Sequence, residues 1–137
     1  MARQQDIRGL VQAQRAYFDS GATRPLAFRL GVLEALRDEI RRRDADISQA
    51  LYLDLHKPSA EAYFAETGMV LAEIAWLLKA LPRFDRGRRV RSSLAQFPAT
   101  SHISPEPYGL ALIMSPWNYP FQLSLLPLAG ALAAGNC

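Results

Sequence analysis

Apolar residues recur at three- and four-residue intervals as far as position 81, and beyond it that period is lost. Ile7, Leu10, Val11, Ala13, Tyr17 and Phe18 form one stripe, which predicts a helix over residues 4–19. Ser20-Gly21 ends it, with glycine just past the last turn. Thr23-Arg24-Pro25 reads as the next start, Thr23 capping and Pro25 in the first turn. This second helix turns Leu26, Leu30, Leu33, Leu36 or Arg37, and Ile40 inward. Arg29, Glu34, Asp38, Arg41 and Arg42 face out, and Asp38 and Arg42 stand at pairing distance along the helix. Asp44 is placed to cap a third helix with Ile47, Leu51 and Leu55 buried, closed by Lys57-Pro58. Ser59 is placed to cap a fourth, with Glu61 in its first turn. Tyr63, Thr67, Val70, Leu71, Ile74, Leu77, Leu78 and Leu81 then share one face until Pro82 stops the helix.

The remaining chain has a different grammar. Residues 83–93 are rich in arginine and read as a surface connector. Short strands are expected over 100–104 and 109–114, separated by Pro105-Glu106-Pro107 because proline cannot donate to a ladder. Leu110-Ala111-Leu112-Ile113 is apolar without alternation, as in a buried parallel strand. A loop, Ser115-Pro116-Trp117-Asn118-Tyr119-Pro120-Phe121, leads to a helix from about residue 123 that is apolar almost all round. Gly135-Asn136 terminates that helix, and Cys137 would open another strand. The fold class is therefore α/β: a helical front leading into the first strand, loop and helix of a doubly wound sheet. Residues 1–93 form the helical region with its basic connector, and 94–137 the start of the second region.

Composition changes this picture in two places. Half of the 137 residues are hydrophobic and 21% charged, ordinary for a globular chain, and no apolar run reaches membrane-spanning length. The N-terminus lacks the apolar core of a signal peptide, and one cysteine cannot form an internal disulfide, so a cytoplasmic location is expected. The net charge of +3 is concentrated in residues 83–91, where Arg83, Arg86, Arg88, Arg89 and Arg91 face only Asp85, a local +4. Conversely, the 44 residues from 94 to 137 carry a single formal charge, Glu106. A surface so poor in charge suits burial against something else, and the chain is expected to be the front piece of a longer protein.

Several chemistries are unsupported. His56 and His102 lack partners at metal-ligand spacing, so no metal site is expected. Gly109, Gly130 and Gly135 fit neither a dinucleotide fingerprint nor a phosphate loop. The arginine cluster lacks interleaved aromatics beyond Phe84, which argues against a nucleic-acid surface. The serines and histidines suggest no hydrolytic triad. Cys137 follows a helix C-terminus, the end of the dipole that disfavours a thiolate, and heads a buried strand; a structural role is expected. Asn118 is the better candidate, since an amide on a stiff loop can donate to an oxyanion, although an asparagine satisfying turn backbone is equally compatible with the spacing. Trp117 and Tyr119 are likewise divided between pocket wall and core.

At these residues the sequence closely resembles the aldehyde dehydrogenase superfamily. Pro107-Tyr108-Gly109, then Pro116-Trp117-Asn118-Tyr119-Pro120-Phe121, then Gly130-Ala131-Leu132-Ala133-Ala134-Gly135-Asn136 match its successive motifs in order and spacing. Tyr119, together with Thr23-Arg24-Pro25-Leu26 and Asp54-Leu55-His56-Lys57, resembles the class 3 branch, which includes fatty and aromatic aldehyde dehydrogenases. The resemblance implies a modified Rossmann domain, incomplete here, binding NAD or NADP, and a homodimeric enzyme acting on small-molecule aldehydes. It implies that Asn118 is the catalytic oxyanion-hole residue and that Met114, Ser115, Pro116 and Trp117 line the cofactor. Tyr119 would line the aldehyde tunnel. The reaction implied is attack by a cysteine thiolate, hydride transfer to the nicotinamide and hydrolysis of a thioester. The family's nucleophilic cysteine and general-base glutamate align beyond residue 137, so the chain alone is expected to be inactive. The other readings are a non-catalytic helical interaction or dimerisation module and, more remotely, a nucleic-acid binder built on the arginines. No membrane contact is expected from this portion.

Overall fold

Three helices supply the core, each through a row of small or branched apolar residues spaced three, four or seven apart. A computed structural model describes residues 7–137 of the chain. α1 spans Ile7–Asp19, α2 Leu26–Arg42, α3 Asp44–Leu55 and α4 Ser59–Ala62. A π-helical turn, Tyr63–Thr67, joins α4 to α5, Gly68–Phe84. β1 (Arg88–Val90) and β2 (Ser101–Ile103) follow, and α6 spans Pro120–Ala134. Residues 4–6 of the expected first helix lie outside the described residues.

Leu33 and Ile40 of α2, Val70, Ile74, Leu77 and Leu81 of α5, and Ala129 and Ala133 of α6 form the buried cluster. Fully burying one such leucine stabilises the fold by about 1.5–3 kcal/mol. α6 contributes alanines at i and i+4, and these small side chains let it lie close against α2 and α5. α1 differs from the other long helices. Its apolar stripe is present, yet no residue of it is buried, and Ile7, Leu10, Val11 and Tyr17 are exposed.

The helices expected from periodicity are found; their expected ends often are not. Thr23, Asp44 and Ser59 do not cap: Pro25, Arg43 and Pro58 occupy the capping positions, and no side chain bonds there. Asp38 pairs with Arg37, and Arg42 with Glu39, in place of the expected Asp38–Arg42 pair. Arg29, expected outside, is buried. Tyr63, expected inside, is half exposed; in the π turn Glu66 lies inward in its stead, beside Thr67, which is buried as expected. Pro82 does not stop α5, which runs one further residue pair to Phe84. A proline so near the C-terminus forfeits a single helical bond, which the continuing turn tolerates.

The arginine-rich connector contains a strand. β1 and β2 pair antiparallel, with Arg88 opposite Ile103, Arg89 opposite His102 and Val90 opposite Ser101. The expected strand over 109–114 is extended chain with only one step of pairing. Cys137 N–H donates to the Gly109 carbonyl at 2.8 Å, and Ala111 N–H donates to the Cys137 carbonyl at 2.8 Å. That alternation is the pattern of a parallel ladder. Leu112 to Met114 have no backbone partner among the described residues, so no longer strand forms. α6 begins at Pro120, three residues earlier than expected, because proline is well suited to the first helical position.

Candidate functional site

The loop over residues 115–119 connects this extended segment to α6, and buried charges fix both ends of that helix. At its N-terminus, the carboxylate of Glu66, which has no solvent exposure, accepts from Phe121 N–H at 3.0 Å and Gln122 N–H at 2.8 Å through Oε2. Its Oε1 accepts from Lys57 Nζ at 2.5 Å. A negative charge therefore sits against the positive end of the helix dipole, bonded to two otherwise unpaired amides. Lys57 Nζ also donates to the Asn118 carbonyl at 2.8 Å and lies 3.9 Å from the centroid of the Tyr119 ring. Each buried charge thus meets opposite charge and several polar partners, the condition under which burial is tolerated.

The C-terminus of α6 is held with the opposite sign. Arg29 donates from Nη1 to the Ala133 carbonyl at 3.0 Å, from Nε to the Arg24 carbonyl at 3.1 Å, and from Nη2 to Asp85. Thr23 Oγ1 donates to the Gly135 carbonyl at 2.7 Å. Gly135 closes the helix at φ 90°, a left-handed conformation in which glycine carries no side-chain penalty. The Asn136 side chain accepts from Gly109 N–H at 2.8 Å and ties the extended segment to the helix end. A cleft of about 400 Å³ opens at this end, lined in part by Arg24, Arg29, Phe84, Asp85 and Glu106. It lies at the opposite end of α6 from the Asn118 loop.

The site residues named from the sequence are contiguous on the loop. Met114 and Trp117 are 85% and 79% exposed, so neither is a core residue. Ser124 Oγ donates to the Pro120 carbonyl at 2.6 Å, so Ser115 Oγ is the donor in its 2.6 Å bond to Ser124. Pro116 and Asn118 are exposed, and Tyr119 stands at the cap of α6 with one face beside the Lys57 ammonium. The Asn118 side-chain amide makes no hydrogen bond among the described residues; only its backbone carbonyl is engaged. His56 adopts a left-handed conformation at the end of α3 beside Tyr52, and His102 lies in β2. Among the described residues no three potential metal ligands cluster.

Sequence reasoning missed Lys57 and Glu66. A signal existed for the second: Ala62, Glu66, Val70 and Ile74 are spaced by four, placing one carboxylate in an apolar row.

The family profile described as "Aldehyde dehydrogenase family" matches residues 1–137. The chain belongs to the aldehyde dehydrogenase family. It is 43% identical over 130 residues to the dimeric NADP-preferring aldehyde dehydrogenase of Canis lupus familiaris, covering 95% of this chain and 29% of that protein. To aldehyde dehydrogenase family 3 member A2 of Rattus norvegicus it is 44% identical over 126 residues, 92% of this chain and 26% of the relative. The structure described as the substrate-bound state of Staphylococcus aureus AldH superposes with a TM-score of 0.92 at 41% identity, covering 95% of this chain and 28% of that one. The chain therefore spans between a quarter and a third of these aldehyde dehydrogenases and matches their N-terminal part. The helix-rich arrangement with its small sheet is the fold of that portion.

Proposed function

We propose that the chain is the N-terminal part of an NAD(P)-dependent aldehyde dehydrogenase of the class 3 type, oxidising aldehydes to carboxylic acids through a cysteine thiohemiacetal and thioester. The observation that carries this is the state of Asn118. Its carbonyl is clamped by Lys57 while its side chain stays exposed and unbonded among the described residues. A neutral amide carried on so anchored a backbone is available to donate to the oxygen that becomes negative when a thiolate adds to an aldehyde. Tyr119, held beneath Lys57, would line the aldehyde path.

The residues assigned to the cofactor fit it chemically. Met114 and Trp117 offer exposed apolar surface for a ring. The backbone N–H groups of Ser115 and Trp117 have no partner among the described residues and suit ribose hydroxyls. NAD or NADP, when bound, supplies the oxidising power. The chain's own residues hold the aldehyde oxygen at Asn118 and flank the dinucleotide.

Cys137 is not the nucleophile of this site. It follows the C-terminus of α6, whose N-terminus carries Asn118, and 15 helical residues separate the two by about 22 Å. A homodimeric, cytoplasmic complete enzyme belongs to the same proposal, the dimer supported by the dimeric relative's name. The test is to assay the 137-residue chain and the product of its complete reading frame with an aldehyde and NAD or NADP. NADH or NADPH is expected only from the complete protein; its formation by the short chain alone contradicts the assignment.

A further inference from the structure

We propose that Lys57 and Glu66 are positioning residues for Asn118, a buried ionic clamp that sets the loop's backbone so that the amide is aimed before substrate arrives. The inference rests on the reading of Asn118 given above. Four contacts converge on five consecutive residues: Lys57 to the Asn118 carbonyl and over the Tyr119 ring, and Glu66 to the amides of Phe121 and Gln122. The two charges are joined to each other at 2.5 Å, so the loop and the start of α6 are held as one unit from behind.

The local structure yields to this clamp. Glu66 lies within a π turn, in which Gly68 N–H bonds to the Tyr63 carbonyl. The same turn buries Thr67, whose hydroxyl finds no partner among the described residues. Such turns are uncommon and concentrate at functional sites. A buried ion pair is weak evidence for stability, since well-packed apolar residues do as well or better. Here both members bond the loop backbone. What the pair adds is placement: with the Asn118 backbone fixed, only its two side-chain torsions are left to order when substrate binds.

The test uses the complete enzyme and the substitutions Lys57→Met, Glu66→Gln and Asn118→Ala, singly and combined. Misplacing a catalytic group by about 1 Å costs up to about 100-fold. Lys57→Met and Glu66→Gln are therefore each expected to lower kcat about 10- to 100-fold, with the KM for NAD(P) changed less than about 3-fold. In the Asn118→Ala background the same substitutions should change kcat by less than about 3-fold, because the group they aim is gone. Lys57→Arg, keeping charge and donors, should recover most of the loss. If Lys57→Met does not fold, the nearly isosteric Glu66→Gln carries the comparison. Unchanged kcat in folded single variants overturns the proposal, as do equal losses in both backgrounds, which would mark a general packing role. A wild-type enzyme that oxidises no aldehyde overturns the reading of the activity beneath it, a failure distinct from the other two.

Discussion

Arg29 concentrates at one residue what the fold asks of a buried charge. Its guanidinium is satisfied by two carbonyls and Asp85, and its sign matches the C-terminal end of α6. Replacing it with methionine keeps much of the volume but leaves the Ala133 carbonyl without its donor, while Asp85 is exposed enough to be solvated. A loss of about 1–3 kcal/mol is expected, measurable as a shift in urea midpoint. Exposed charges behave otherwise. Hydrogen bonds from Arg42 and then Arg43 hold the Glu39 carboxyl below its ordinary range. A depressed folded-state pKa gives stability that is present above the unfolded value and lost as pH falls through the folded one. Glu39→Gln should accordingly be slightly less stable than wild type at neutral pH and indistinguishable from it in acid, with added salt shrinking the difference. Arg29 and Glu66 were the residues hardest to place from sequence. Helical spacing puts Arg29 on the row of Leu33, but charge argues for the outside, and its partners Asp85 and Ala133 lie 56 and 104 positions away. The loop ahead of α6 was legible because its motif is local.

At the scale of elements, periodicity located the long helices because each buries a continuous row. It could not locate the π turn, where one extra residue shifts the inward face without altering composition. Gly68 records that turn: a Cβ there would stand 2.6 Å from the Tyr63 carbonyl oxygen. Alanine is ordinarily the better helix former by about 0.8–1 kcal/mol, yet here Gly68→Ala should destabilise by about 1–3 kcal/mol. A thermal melt that rises would refute the close approach. Caps were misjudged because proline already sets the backbone ahead of α2 and α4, leaving Thr23 free to bind the far end of α6. β1 was hidden because its arginines read as solvent-facing, and a three-residue strand owes its existence to the partner opposite.

Across the whole molecule, the nearly uncharged stretch from residue 94 leaves Leu94, Phe97, Tyr108, Leu112, Met114 and Trp117 exposed. The chain spans 26–29% of the length of the canine and rat relatives it matches, and it carries these apolar side chains exposed. On the proposed reading the chain supplies the oxyanion amide from the loop ahead of α6, and Cys137 lies beyond the opposite end of that helix. The most direct measurement is therefore steady-state oxidation of an aldehyde by the complete enzyme carrying Asn118→Ala. Loss of one oxyanion donor should reduce kcat by about 100- to 1,000-fold while NAD(P) still binds. A kcat within about 2-fold of wild type would contradict the assignment of the oxyanion to this residue.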